Sequence, residues 1–428
     1  MQTAVLGTRG TAWSPETRLY SDGVVIGADG APLLVPPHGG LRRLPGTGYL
    51  DPASGPLTGA AVPTADEVDA ARELLAATEL PGRDTPYRAM AEEALVDIGV
   101  LTFPNGAAVA AGSPYWRYVW PRDAGYMAAA LTVCGRPEPA YALLAYVAAM
   151  QEADGTWQAR YLPDGSRDVP DDRGLQLDGI GWTLWATWVW AGATGRDPGS
   201  LAPMIRAAVE AALAALDPLT GLPRASQDFW EIDLDEATLG SAAPLLLGLR
   251  AGRDLLRLLD GADGGGLAAR AADGAERLAD AVTAGFGAHG YTRRISGDGG
   301  RDASVAFLLP PFAPAGDDAV AAAWRDAVDA TTVGNGGVRP GEEWTDLVTG
   351  WTPQVSLHAL TAASLGETAL AHRLLSWLDL RRTALGALPE KVTADGRPAA
   401  VAPLGLTGAT VLLALAALDG RPLPTPAA

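Results

Sequence analysis

The amino-acid sequence predicts an all-α chain built as an (α/α)6 barrel, six inner and six outer helices, with a small N-terminal β-containing extension. Two observations predict it. Two kinds of helical segment alternate from about residue 86 onward, and the connections between them are long at one end only.

Residues 1–80 are expected to form the extension, and residues 81–428 the barrel. Within the extension, GVVIGADGAPLLV (23–35) reads as two short strands around a Gly-Asp turn. A Pro/Gly-rich loop follows, then a helix near 64–78. In the barrel, one kind of helix is amphipathic. In 198–216, Leu201, Met204, Ile205, Val209, Ala212, Leu213 and Leu216 fall on one stripe, with Arg206 and Glu210 off it. The other kind is apolar nearly all round, as in LDGIGWTLWATWVWAG (177–192) and PLGLTGATVLLALAAL (403–418). A helix apolar on every face must be buried on every face. The outer set is 86–101, 137–152, 198–216, 265–286, 316–331 and 367–380; the inner set is 121–134, 175–192, 237–259, 302–309, 353–364 and 403–418. The segment 302–309 is the shortest. A superhelical solenoid shares this alternation, so the period alone does not close a ring, although no repeat of about 30–45 residues supports a solenoid.

Inner-to-outer links are short. Outer-to-inner links are long: 102–120, 153–174, 217–236, 287–301, 332–352 and 381–402. Up-down alternation gathers these at one end, and long loops on a rigid scaffold are where sites are built.

Composition narrows the chemistry. Of 428 residues, 48% are apolar, enough for a large core. The net charge of −18 disfavours nucleic acid and anionic membranes as partners. One cysteine, Cys134, excludes an internal disulfide framework; it ends an apolar helix and reads as a core residue. The four histidines stand at no ligand spacing, so no metal site and no cofactor is expected. The start, MQTAVLGTRGTAWSPE, has no basic segment followed by an apolar run, and no run of about 18 apolar residues occurs; a cytoplasmic protein is expected. The sequence does not specify an oligomeric state. G-x-S-x-G, P-loop and H-E-x-x-H patterns are absent, and the glycine turns near 263 and 297–300 are not nucleotide fingerprints.

Seven of the 13 tryptophans, Trp116, Trp120, Trp157, Trp182, Trp230, Trp344 and Trp351, fall in or just beyond the long loops. Each one could cap the barrel core; their clustering at one end also fits a ligand with apolar faces. In PYWRYVWPRDAGYM (114–127), four aromatics precede Arg122 and Asp123, and rings beside fixed polar groups suit a sugar. SQDFWEIDLDEATLG (226–240) places Glu231 beside Trp230 before an inner helix. An acid against an indole tends toward a raised pKa, which suits a general acid; an acid favouring a helix N-terminus explains the spacing equally well. LPEKVTADGRP (388–398) places Glu390 in the last long loop, as a catalytic carboxylate or as a surface glutamate. Two glutamates at one barrel mouth fit the two-carboxylate logic of glycoside hydrolysis. GNGGVRPGEEWTDLVTGW (334–351) adds Arg339, Glu342, Glu343 and Trp344 among glycines.

Across 86–418 these segments resemble glycoside hydrolase family 15, the glucoamylase and glucodextranase group. YVWPRDAGYM is similar to the family's Trp-x-Arg-Asp segment, which implies that Arg122 and Asp123 hold the terminal sugar with Trp120 beside them. DFWE resembles the segment of the general acid, implying Glu231, with Trp230 at the site. VRPGEEW before GWTPQ looks like the loop with a further sugar-binding arginine, implying Arg339 and its neighbour Trp344. LPEKV followed by APLGLTGA is similar to the general-base segment, implying Glu390. LDGIGWTLWA resembles another stretch at the barrel mouth, with Asp178 and Trp182. The five segments follow family order. Three departures stand out: Ile232 follows Glu231 where a second Glu is common, GLTG (405–408) replaces a Trp-Ser pair, and about 80 residues precede the barrel where prokaryotic relatives often carry a large β-sandwich.

The resemblance implies an inverting exo-acting α-glycosidase releasing terminal α-linked glucose as β-glucose from a small carbohydrate substrate. Glu231 would act as acid and Glu390 as base, with the carboxyls about 6.5–9.5 Å apart. A trehalase-like or natural-product glycoside hydrolase, a glycoside phosphorylase, and a glycan-binding barrel without turnover stay open at this point.

Overall fold

A computed structural model describes residues 18–169, 173–261 and 265–428. The opening segment 1–16, and part of the glycine turn near 263, lie outside the described residues.

β1 (Gly23–Ile26) and β2 (Pro32–Val35) pair antiparallel, with Val24 opposite Leu34. Helix α1 (Ala65–Ala76) follows, begun by a capping box between Thr64 and Glu67. The longer helices that follow are α2 (Arg88–Leu101), α3 (Pro121–Val133), α4 (Pro137–Ala149), α5 (Asp178–Thr194), α6 (Ala202–Ala215), α7 (Leu239–Asp260), α8 (Gly265–Gly285), a 3-10 helix (Ala303–Leu308), α9 (Asp318–Thr331), α10 (Thr352–Ser364), α11 (Thr368–Asp379) and α12 (Gly405–Leu418).

The ring closes. α3 packs on α5, α5 on α7, α7 on the 3-10 helix, that helix on α10, α10 on α12, and α12 back on α3. The outer helices α2, α4, α6, α8, α9 and α11 each lie against this ring. Closure decides against the solenoid, because a solenoid's first and last inner helices never meet. The six pairs are those the alternation predicts. The short inner segment is one 3-10 stretch, capped by Asp302 and stopped by Pro310 and Pro311, which cannot continue a helix.

Contact inside the ring is intimate. A Cβ built on Gly181 of α5 would lie 1.9 Å from the Pro244 carbonyl oxygen of α7, and one on Gly248 would lie 2.6 Å from the Gly181 Cα. Glycine in a helix interior costs roughly 1 kcal/mol relative to alanine; here it lets two inner helices touch backbone to backbone. Tyr126, Trp182, Trp185, Phe307 and Phe312 form one aromatic cluster between inner helices, with ring centroids 4.9–5.9 Å apart.

The N-terminal stretch is fastened to the barrel by a buried charge cluster. The Arg43 guanidinium donates to the Val24 carbonyl, to Glu93 at 2.8 Å and to Asp97 at 2.5 Å, both carboxylates being on α2. Arg43→Ala would strand Asp97, whose side chain is 5% exposed. The expected loss is about 3–5 kcal/mol of stability, read as a fall in the denaturant midpoint. An unchanged midpoint would show that the cluster contributes nothing net.

The long loops also build a three-stranded sheet that the sequence reading leaves as loop: β3 (Gly350–Trp351), β4 (Lys391–Val392) and β5 (Pro398–Ala399), antiparallel in that order. Two-residue strands show no periodicity to read. Among the described residues, no helix is long and apolar enough to cross a membrane.

Candidate active site

The N-terminal ends of three inner helices, α3, α10 and α12, and five of the six long loops line one cavity. Its lining includes Trp116, Trp120, Arg122, Asp123, Arg173, Trp230, Glu231, Trp344, Trp351, Gln354, Glu390 and Lys391. Nine of the residues singled out from sequence therefore line one cavity: Trp116, Trp120, Arg122, Asp123, Trp230, Glu231, Trp344, Trp351 and Glu390.

Trp120 is the N-cap of α3, Pro121 opens the helix, and Arg122 and Asp123 occupy its first turn. Proline suits that position because its missing N–H has no helical partner there. Arg122 donates to Asp178 at 3.0 Å and to Gln176 at 3.2 Å, and its Nε lies 3.4 Å from Asp123. Burial opposes the guanidinium's charge; the carboxylates of Asp178, Asp123 and Glu231 override it and hold its pKa above the ordinary value. Burial pushes Asp123 up to about 6, against the pull of Arg122 and with help from the charges of Glu231 and Asp178.

Glu231 sits in a turn with φ +55°, in the left-handed region that non-glycine residues seldom enter. Its N–H donates to the Asp228 carbonyl at 2.8 Å, and the Trp230 N–H donates to the Asp228 carboxylate at 2.9 Å. Asp228 is in turn gripped by Arg293, which is wholly buried and 2.9 Å from both carboxylate oxygens. The Glu231 carboxylate accepts from the Trp120 indole at 2.8 Å, from Gln176 at 3.3 Å and from Arg173. The indole bonded to the acid is thus Trp120, not the sequence neighbour Trp230.

Glu390 is fixed through its backbone. Its N–H donates to the Val401 carbonyl at 2.8 Å, and its carbonyl accepts from the Thr352 N–H at 3.0 Å, tying the residue to the first turn of α10. Burial raises the Glu390 pKa and the charge of Glu231 adds to this, while Lys391 and a bond from Trp116 oppose it. The two glutamates therefore feel each other across the cavity.

The wall between them is aromatic. Trp230 meets Trp344 edge to face at 4.9 Å, and Trp344 meets Trp351 edge to face at 5.1 Å. Arg293 lies 4.1 Å over the Trp230 ring at one end, and Lys391 lies 4.1 Å over the Trp351 ring at the other. Four buried polar atoms of lining residues have no hydrogen-bond partner: Trp230 Nε1, Trp344 Nε1, Gln354 Oε1 and Glu390 Oε2. Buried polar groups are normally paired, and these offer two donors and two acceptors to a ligand.

Three sequence expectations need correction. Trp182 is fully buried in the aromatic cluster, because it sits one turn inside α5 and points into the barrel. Asp178 is 1% exposed and lies outside the lining; it holds Arg122, not open space. Arg339 also lies outside the lining, and its guanidinium donates to the carbonyls of Glu342 at 3.1 Å and Trp344 at 3.0 Å, shaping the loop that presents Trp344. Lys391, Arg173, Gln176 and Gln354 escape the sequence reading. The adjacency of Lys391 to Glu390 is the one signal that could have found any of them. Among the described residues, no group of His, Cys, Asp and Glu could hold a metal ion.

No protein-family model matches the chain. An uncharacterized glycosyl hydrolase of Methanocaldococcus jannaschii is 34% identical over 97 residues, 22% of this chain and 15% of that protein's length. A glycosidase solved in its wild-type form superposes with a TM-score of 0.67 at 24% identity, over 78% of this chain and 96% of its own. A variant glycosidase in complex with glucose gives the same values. A bacterial glucoamylase complexed with acarbose superposes at 0.66 with 14% identity, covering 84% of this chain and 59% of its own. The Saccharomycopsis fibuligera glucoamylase does so at 0.61 with 12% identity, over 76% and 91%. The likeness to family 15 that the five motifs carry thus recurs in three dimensions, and by fold the chain is a glucoamylase-like (α/α)6 barrel.

Proposed function

We propose that the protein is a glycoside hydrolase that removes terminal α-linked glucose from a short glycoside with inversion, releasing β-glucose. One observation carries this: Glu231 and Glu390, brought by loops before different inner helices, line one tryptophan-walled cavity with Arg122 and Asp123. Two carboxylates in one site are the minimum equipment for inverting hydrolysis. The solved glycosidase in complex with glucose and the glucoamylase complexed with acarbose, which share the fold, support a sugar as ligand.

In the proposed reaction the sugar's C–H faces lie on the indoles, and its hydroxyls satisfy the unpartnered atoms of Trp230, Trp344 and Gln354. Arg122 and Asp123 hold the outer hydroxyls. Glu231 gives its proton to the glycosidic oxygen as the C–O bond breaks. For this the leaving group's oxygen takes the place of Arg173 beside the Glu231 carboxyl. Glu390 accepts a proton from a water attacking the anomeric carbon from the opposite face. The oxocarbenium-like transition state forms between two carboxyls, which favours positive charge.

The test is NMR of the anomeric protons from the first minutes, with maltose, isomaltose and trehalose in separate tubes. Fresh β-glucose before mutarotation is the expected result, and the productive tube names the linkage. Fresh α-glucose from maltose or isomaltose would overturn inversion; trehalose yields one sugar of each anomer. A requirement for inorganic phosphate, with sugar phosphate as product, would establish a phosphorylase instead.

A further inference from the structure

Inverting hydrolysis asks something awkward of Glu390. A base must be ionised, yet this carboxyl is buried and shares its cavity with a second one. Burial and the Glu231 charge both work against ionisation, so something on the wall must work for it.

Lys391 stands in that place. It is the next residue, 1% exposed, on β4. The register of the small sheet sets Lys391 directly opposite Trp351 on β3. Cross-strand partners share a face, and the ammonium lies 4.1 Å over the Trp351 ring. From there Nζ is 3.9 Å from Glu390 Oε2; burial pulls the Lys391 pKa down, and the charges of Glu390 and Asp346 oppose this. Glu390 and Lys391 thus meet as neighbours on the cavity wall, although successive residues of a regular strand point to opposite faces. Glu390 lies just before β4, where its backbone bonds to Val401 and Thr352 allow it.

Resting on the glycosidase reading above, we propose that Lys391 is a positioning residue for the base. Its ammonium, pinned on Trp351 by the sheet register, supplies the positive charge against which the Glu390 carboxylate forms and is held. The charged and titratable groups facing this pair are Glu231 across the cavity, Asp346 beside the ammonium and the Tyr20 phenol, whose pKa is raised by burial and by the charge of Glu390. Lys391 is the cation beside Glu390; Arg122 and Arg173, which also line the cavity, are held on Asp178 and Glu231. An opposite charge within about 4–6 Å shifts a carboxyl by about 1–3 units. Removing it raises the Glu390 midpoint, so the base is lost first on the acid side.

The test uses the full chain as wild type, Lys391→Met and Lys391→Arg. Carboxyl-13C glutamate is titrated without substrate, the Glu390 signal being the one absent from Glu390→Gln. The expected midpoint rises by about 1 unit or more in Lys391→Met and stays near wild type in Lys391→Arg. The acid limb of kcat/KM moves up with it, giving about a tenfold loss on that side and convergence with wild type at higher pH. A purely structural role lowers activity equally at every pH. An unchanged Glu390 midpoint in folded Lys391→Met overturns the proposal. Where that variant does not fold, 15Nζ NMR of the wild type decides: a neutral amine at pH 7 overturns the proposal, and a protonated one that titrates only above Glu390 supports it. Failure of the wild type to hydrolyse any glycoside would sink the glycosidase reading separately, while the titrations still decide the charge pair.

Discussion

Glu231→Gln and Glu390→Gln are each expected to lower kcat on the productive glycoside by about 10²–10⁴-fold with little change in KM. Glutamine keeps the shape and loses the proton chemistry. It also keeps an acceptor oxygen for Trp120, so Glu231→Gln should still fold and bind sugar. The double variant should lose less than the product of the two, because acid and base act in one transition state. The two substitutions share one consequence. Glu231→Gln removes the carboxylate facing Arg173, leaving a part-buried guanidinium beside a neutral amide. Glu390→Gln removes the charge facing Lys391 in the same way. Steady-state rates and sugar titrations on both variants check this. Wild-type turnover in Glu390→Gln would remove the base from the mechanism and point to phosphate as nucleophile. Sugar binding without hydrolysis by the parent would leave a glycan-binding barrel.

The barrel was legible because burial writes itself into helices. α5 and α12 are apolar on nearly every face and can only be inner; α6 carries one stripe and can only be outer. The alternation could not show closure, which is a contact between α12 and α3, nearly three hundred residues apart in sequence. Residues in helix first turns or tight loop motifs were legible as cavity lining, as Arg122, Asp123 and Glu231 show. Trp182 misled because proximity to a long loop does not say which way a side chain points one turn into a helix. Arg339 misled because arginine in a glycine-rich loop reads alike whether it holds a ligand or the loop's own carbonyls. Lys391 went unseen because its meaning lies in a cross-strand register between segments forty residues apart.

Arg293 should prove the most sensitive residue outside the cavity lining. Its guanidinium is fully buried, takes both oxygens of Asp228 at 2.9 Å, lies 3.5 Å from Asp302 and covers Trp230. Arg293→Met leaves two buried carboxylates with no cation, and the expected loss is about 3–5 kcal/mol at neutral pH. The sign of the pH dependence follows from the same geometry. Asp302 already sits at about 6, raised by burial and by Asp228 and held down by Arg293. Without Arg293 the Asp302 carboxyl rises further above its unfolded pKa. Such a group leaves stability intact below the unfolded value and removes it as pH rises through the folded one. The gap to wild type should therefore be widest near pH 7 and above, and should close as pH falls toward 4. Thermal midpoints across that range check it, and a gap independent of pH would show that lost packing against Trp230, not stranded charge, is responsible. Activity adds a second reading. Asp228 holds the Trp230 and Glu231 N–H groups that keep Glu231 at φ +55°. With Asp228 released, the turn relaxes toward ordinary backbone and carries the acid away from the glycosidic oxygen. Arg293→Met should then lose kcat even where it is folded. Arg293→Lys, which keeps the charge but not the two-oxygen grip, should recover more stability than turnover.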